Sequence, residues 1–389
     1  VSTSTPEPPP LAVRGGSALL PDGTTIDADV RCAGHTIDAI DAIESQAAPA
    51  EVEIDATGAL VLPGLIDLHG DGFERTLMPR AGVQLGVAPA LEETRSQLLA
   101  AGITTAFVSV TDGWEPGLRS RSTLRALVTE LADPAGRQAA PRLHLHVRHE
   151  RCNTAHFDEL VGWVRDGSID MLSYNDHTPG GIADIGELSD LQVKRSGVSR
   201  EELDDCREAA VARRADGAEQ ERQLAEASSA AGIATASHDA SSDDDLARDL
   251  ALGVDIAEFP LSVELAGRYR AAGIAILLGA PNLVRGRSHL GNLSVRDAWD
   301  AGVADLICSD YHYQSLLHAP FALAERGTAL VDAWHAVSRG PAEAVGLHDR
   351  GRIEPGALAD LIVVEPPAAG RPARVRAVVV DGRLVAHTP

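Results

Sequence analysis

The sequence predicts an α/β chain built as a (β/α)8 TIM barrel, with a small discontinuous β-sandwich domain formed by both chain ends. Three observations predict it. Eight short apolar segments, at 61–68, 103–110, 143–149, 169–174, 233–237, 254–259, 274–278 and 304–308, alternate with helix-like stretches such as Glu92–Ala101, Ser122–Leu131 and Glu219–Ala231, the rhythm of a parallel sheet with helices over it. Both chain ends read instead as short strands joined by tight turns. The residues that follow the apolar segments are repeatedly histidine or carboxylate, and the carboxyl ends of the strands are where such a barrel places its chemistry.

Residues 1–10, rich in Pro, Ser and Thr, are expected to form a disordered tail. From 11 to 60 the chain reads as strands and turns, with Leu19-Leu-Pro-Asp-Gly23 as a hairpin signal and Ala28–Cys32 alternating beyond it. Its expected partner is 350–389, where Leu361-Ile-Val-Val364 and Val375-Arg-Ala-Val-Val-Val380 are strands between glycine-bearing turns. The middle, 61–349, is the expected barrel hydrolase domain. It opens on Val61-Leu-Pro-Gly-Leu-Ile-Asp-Leu-His69-Gly-Asp71. Alternate side chains of an extended chain point the same way, so His69 and Asp71 are expected side by side, half of a divalent metal site. Glu150 follows the third apolar segment, His177 the fourth, His238 the fifth and Asp310 the eighth. Taken singly, each also reads as a turn residue or a hydrogen-bonded core histidine. Together they are six ligand-type side chains at one barrel mouth, and their oxygen and nitrogen donors suit two zinc ions, with manganese, iron or nickel as alternatives. Between the fourth and fifth segments, 181–232 is an insertion in which Ser199 and Glu202 form a capping-box pattern. It reads equally as a lid over the mouth and as an ordinary helical excursion.

Composition narrows the function classes. With 44% hydrophobic and 23% charged residues, the chain is globular rather than disordered or fibrous. A formal net charge of −23 argues against nucleic acid or an anionic membrane as partner, because either needs a basic face. Cys32, Cys152, Cys206 and Cys308 lie far apart with no C-x-x-C pair, so a reducing cytoplasm is expected. No run approaches the roughly 18 apolar residues of a membrane span, and the N-terminus shows neither a basic nor an apolar signal region. The sequence is compatible with a homo-oligomer and does not require one.

Leu62-Pro-Gly-Leu-Ile-Asp-Leu-His69, Ser309-Asp310 and Gly356-Ala-Leu-Ala-Asp360-Leu resemble the amidohydrolase superfamily, metal-dependent barrel hydrolases with a flanking β-sandwich. Over roughly 60 to 360 the chain is similar to the PhnM family of phosphonate catabolism. That resemblance rests on His69-Gly-Asp71-Gly-Phe-Glu74-Arg75, His146-Val-Arg148-His-Glu150, Asp176-His177-Thr-Pro-Gly180, Ala236-Ser-His238-Asp239, Ile256-Ala-Glu258-Phe-Pro260 and the stretch from Gly279 to Asn292. It implies hydrolysis of α-D-ribose 1-methylphosphonate 5-triphosphate to the 5-phosphate and diphosphate. The chain departs from the family pattern at Gly70 (usually Thr), Gly72 (Asn), Ala240 (Asp) and His312-Tyr313 (Tyr-Pro).

The chemistry expected of such a site is attack by a metal-bound hydroxide, with Asp310 accepting the proton, Glu150 bridging two ions and His238 polarising the attacked group. A small anionic, phosphorylated substrate then needs cations, and the candidates are Arg75, Arg80, Arg148, Lys194, Arg195, Arg285, Arg287 and His289. The alternative keeps the metals and changes the bond, to a C–N bond in a cyclic amide, amidine or N-acyl compound. A third reading is a barrel kept only as a binding scaffold.

Overall fold

The computed structural model describes residues 6–42, 49–133, 136, 139–182, 186–285 and 293–388. Five N-terminal strands come first: β1 (Leu11–Leu19), β2 (Thr25–Ala33), β3 (Thr36–Ala42), β4 (Val52–Asp55) and β5 (Leu60–Pro63). Eight barrel strands follow: β6 (Leu65–Gly70), β7 (Ile103–Asp112), β8 (Arg142–Glu150), β9 (Met171–Asn175), β10 (Ala234–His238), β11 (Ile256–Glu258), β12 (Ala275–Gly279) and β13 (Leu306–Cys308). The chain ends on β14 (Leu361–Glu365), β15 (Arg374–Val380) and β16 (Arg383–His387). Strands β6 to β13 pair in sequence order, each parallel to the next. A parallel bridge between Gly70 and Asp310 joins the first strand to the end of the last. Asp67 reinforces that seam, accepting from the Ser309 amide at 2.8 Å and from its hydroxyl at 2.5 Å. All ten residues of β7 are buried, as expected of a strand with helices on one face and the barrel core on the other.

The other strands form a second, mostly antiparallel sheet in the order β16-β15-β14-β5-β1-β2-β3, with β4 beside β1. Its alternation serves two cores. Leu361 and Val363 of β14, with Ala377 and Val379 of β15, face the core of this sheet, while Ile362, Val364, Val378 and Val380 pack on the barrel's helical side. Asp360 ties the two units, accepting from Arg142 at the start of β8 at 2.9 Å and from the Asp381 amide at 2.7 Å. Among the described residues no helix is long and apolar enough to cross a membrane.

The run expected as one strand at 61–68 is two strands in two sheets, β5 and β6, separated by Gly64. A periodicity of two continues across the join, so the apolar pattern alone does not mark it. Sterics do: a Cβ on Gly64 would lie 2.2 Å from Thr104 Oγ1. Gly64→Ala is therefore expected to cost about 1–3 kcal/mol through overpacking. A shift of the urea midpoint checks this, and a parental midpoint would show the crossing to be slack.

The barrel interior is plugged by Ile66, Leu68, Phe107, Met171, Ala236, Ile256, Leu277, Leu306 and Cys308. Because strand side chains repeat every two residues, the next interior layer is already specified. It holds Ser109, Ser173, His238, Glu258, Gly279 and Asp310, each two residues beyond a plug residue. The candidate site is this layer.

Candidate metal centre

His69 reaches the interior by a different route. Between Asp67 and Gly70 the register with β7 slips, three residues of β6 opposing two of β7. Such a bulge re-aims a side chain, and here it points the His69 ring inward between His146 (ring centroids 5.5 Å) and His238 (5.4 Å). Asp71 stays nearer solvent, with Oδ2 3.6 Å from Arg148 Nη1.

Two groups of donors can each close on a cation: His69, His146 and Glu258, fully buried, and His177, His238 and Asp239 nearer the mouth. Within each, the ligand atoms all lie within 4.8 Å of one another. In the deep group Glu258 accepts from His69 Nδ1 at 2.7 Å and from Ser173 Oγ at 2.8 Å, and His146 Nε2 lies 4.0 Å away. In the outer group His238 Nδ1 is 2.9 Å and His177 Nε2 3.8 Å from Asp239 Oδ2. His177 also contacts Glu150 through Nδ1, and its amide donates to Glu150 Oε2 at 2.9 Å. The two groups are neighbours, since the His177 and His238 centroids lie 5.6 Å apart.

The deep group contains a buried ring nitrogen without a hydrogen-bond partner, His146 Nε2, whereas in the outer group His238 Nδ1 faces the Asp239 carboxylate. The neighbours assign the tautomers. His146 Nδ1 faces the Leu68 carbonyl at 3.1 Å and Ser109 Oγ at 2.9 Å, so it carries the proton and Nε2 keeps its lone pair. Arg148 donates to His238 Nε2 at 3.1 Å, so the neutral His238 ring carries its proton on Nδ1, beside Asp239. His146, fixed by a carbonyl on one nitrogen and bare on the other, has what a metal ligand requires, and an orphaned buried nitrogen is otherwise costly. The residues present fit divalent ions.

Charge is distributed accordingly. Burial would raise the Glu258 carboxyl, but His69 and His146 hold it well below the usual range. Burial drives His146 down to about 3, which keeps its imidazole neutral. Glu150 is held at about 2 against burial by His177, and His177 rises to about 9 because Glu150 and Asp239 outweigh its own burial. Asp310 goes the other way, to about 7, through burial and the adjacent Asp71. Its backbone exchanges two bonds with the first strand, Asp310 N to His69 O at 2.8 Å and Asp71 N to Asp310 O at 3.0 Å. Gly279 makes room for it, since a Cβ there would lie 2.9 Å from Asp310 Oδ2. Asp310, Asp239 and Phe259 all have positive φ just past their strands, the strained geometry that functional sites keep.

The barrel thus brings together His69, Asp71, Arg148, Glu150, His177, His238 and Asp310. It adds His146, Glu258 and Asp239 as donors that belong to no ligand set expected from the sequence. Arg75 donates to the Tyr311 carbonyl and Arg285 to the Tyr311 hydroxyl at 3.4 Å, on the rim. Lys194 is exposed, with Arg195 beside it turned toward Glu74 at 3.7 Å. Arg80 is exposed on the loop after the first barrel helix, and Arg287 and His289 lie outside the described residues. The departures at Gly70, Gly72 and Tyr313 form one packing unit. A Cβ on either glycine would lie 2.9 Å from the buried Tyr313 ring, so the larger ring occupies the space that side chains at 70 and 72 would fill.

A closed parallel barrel with histidines and carboxylates at its strand ends, flanked by a sheet from both termini, defines a metal-dependent hydrolase. The chain belongs to the amidohydrolase family, whose model matches residues 60–385. Within it the chain is similar to the alpha-D-ribose 1-methylphosphonate 5-triphosphate diphosphatase of Escherichia coli, 32% identical over 324 residues, covering 80% of this chain and 84% of that protein. Solved structures share the fold at lower identity. The N-acetylglucosamine-6-phosphate deacetylase of Pasteurella multocida matches with a TM-score of 0.66 at 14% identity, over 97% of this chain and 100% of that one. A Xaa-Pro dipeptidase with bound methionine matches with a TM-score of 0.65 at 17% identity, over 97% and 99%.

Proposed function

We propose that this hydrolase releases diphosphate from α-D-ribose 1-methylphosphonate 5-triphosphate or a closely related phosphorylated sugar, using two divalent ions, zinc first among them. The observation that carries the two-ion reading is the pair of adjacent three-donor groups. The similarity to the diphosphatase supports the substrate class. When bound, the ions supply Lewis acidity and a water acidified toward neutrality.

The chain's own residues do the rest. Asp310 accepts the proton of the attacking water, at a carboxyl that burial and Asp71 keep basic. Arg148, buried between Asp71 and His238, faces the reacting phosphoryl group with a guanidinium suited to charge that develops in the transition state. Glu150 holds His177 in place. Arg75, Arg195 and Arg285 receive the remaining phosphates at the rim. The described cysteines are all free thiols, which is in keeping with work in a reducing cytoplasm.

The test is protein loaded with zinc or manganese and assayed against the ribose phosphonate triphosphate, a nucleoside triphosphate and a cyclic amide. Diphosphate release from the first alone is expected. Chelation is expected to abolish it and added metal to restore it. Turnover of the cyclic amide with no diphosphate from the triphosphate would replace this reading with C–N hydrolysis.

A further inference from the structure

Arg119 stands outside every motif in the sequence, on the turn Gly117–Arg119 that follows β7. Its Nε and Nη2 grip Glu74 as a fork, at 2.8 and 3.0 Å. Glu74 lies on the helix Phe73–Leu77, three residues past Asp71, whose carbonyl accepts the Glu74 amide at 3.0 Å. The Glu74 side chain is 7% exposed and has a second cation beside it, Arg195 Nη1 at 3.7 Å. One nearly buried carboxylate therefore gathers two guanidinium groups from two separate segments.

The arrangement is built rather than incidental. The helix Asp190–Ser196 sits so close on the turn that a Cβ on Gly117 would lie 2.3 Å from the Arg195 carbonyl and 2.7 Å from that of Ser196. Arg119 and Arg195 also lie within the field of Glu115, and Arg119 within that of Asp71, so the two guanidinium groups belong to a mixed cluster of charges. The Glu74 fork fixes the plane of Arg119 while Nη1 lies outside that pair. Arg119 lies beside Asp71, at the edge of the candidate metal centre. A guanidinium oriented in advance by a fork on one edge, with Nη1 outside the fork, is suited to phosphate oxygens.

We propose that Arg119 binds the polyphosphate arm of the substrate, with Arg195 beside it and Glu74 as the positioning residue that aims it. This rests on the diphosphatase reading and names a subsite within it. The experiment compares parent, Arg119→Gln, Arg119→Lys and Glu74→Gln, all metal-loaded. It measures KM and kcat for the ribose phosphonate triphosphate, and binding of inorganic tripolyphosphate by calorimetry. Arg119→Gln is expected to raise KM and weaken tripolyphosphate binding about tenfold or more, with kcat changed far less. Arg119→Lys, which keeps the charge and loses the fork, is expected to recover part of both losses. Glu74→Gln is expected to weaken tripolyphosphate binding although the residue itself repels an anion, because Arg119 is no longer aimed. Parental KM and parental tripolyphosphate affinity in Arg119→Gln, or equal losses in the Lys and Gln variants, overturn the proposal. If the parent releases no diphosphate the substrate reading fails, and the calorimetric comparison still decides whether Arg119 holds a polyphosphate.

Discussion

Replacing Asp310 by Asn is expected to lower kcat by about two to four orders of magnitude, the usual contribution of a positioned general base, while metal content measured by elemental mass spectrometry stays at the parental level. Two observations support reading Asp310 as the base rather than as a ligand. Asp310 belongs to neither three-donor group, and its place is fixed by backbone bonds to His69 and Asp71 that an Asn preserves. Burial and Asp71 raise its carboxyl to about 7. A raised carboxyl must lose its proton before it can accept one, so kcat/KM rises with pH on the acid side. Bound cations stabilise the carboxylate and move that limb below about 7. The limb is expected in the parent and absent from the residual activity of Asp310→Asn. Near-parental kcat in the variant, or an unchanged acid limb, would remove Asp310 from the proton path.

The barrel was legible because its strands are short buried runs bounded by turn residues, and their carboxyl ends carry residues with no place in an apolar core. His238, Glu258 and Asp310 each stand two positions past a core residue, so the same periodicity that marks a strand marks the donor above it. The Ser199–Glu202 capping box is formed as its spacing requires. What escaped depends on geometry that a one-dimensional pattern does not carry. His146 shares β8 with His144 and His149, and all three keep a bare Nε2, so only the surroundings separate them: His144 stacks on Phe107 and meets Asp170, His149 meets Asp112, and the bare nitrogen of His146 faces Glu258. The inward turn of His69 comes from a bulge, and bulges insert a residue without altering composition. Arg119 was hidden because a turn arginine has no periodicity, and its partner Glu74 lies 45 residues away.

Asp112→Asn is expected to destabilise the fold by about 3–5 kcal/mol, the cost of breaking a buried ion pair by removing one partner, with Glu159 at 3.6 Å left as the more distant carboxylate beside Arg121. Asp112 closes β7 and is fully buried. Its carboxylate takes Arg121 Nε and Nη2 at 2.6 and 2.7 Å, faces His149 Nδ1 at 2.8 Å and accepts from Asn153 Nδ2 at 3.1 Å. Arg121, 7% exposed, spends its remaining edge on the His156 carbonyl at 2.8 Å and lies over the Trp163 ring. An amide returns at most one acceptor to that guanidinium and none of the charge. The pH dependence follows from the sign of the shift. Burial would raise the Asp112 carboxyl, yet His149 and Arg121 hold it below its ordinary value. Its contribution is therefore complete above about 3.9, the unfolded value, and is lost as pH falls through the lower folded one. Urea unfolding should show the gap between parent and variant at full width near neutrality and narrowing in strong acid. A neutral-pH gap under about 1 kcal/mol would mean that Arg121 finds another partner or water. The same strand end carries the loop bridged at Gly113 and Ser120, which holds Arg119. Losing Asp112 is therefore expected to raise KM as well, through the rim rather than the metals.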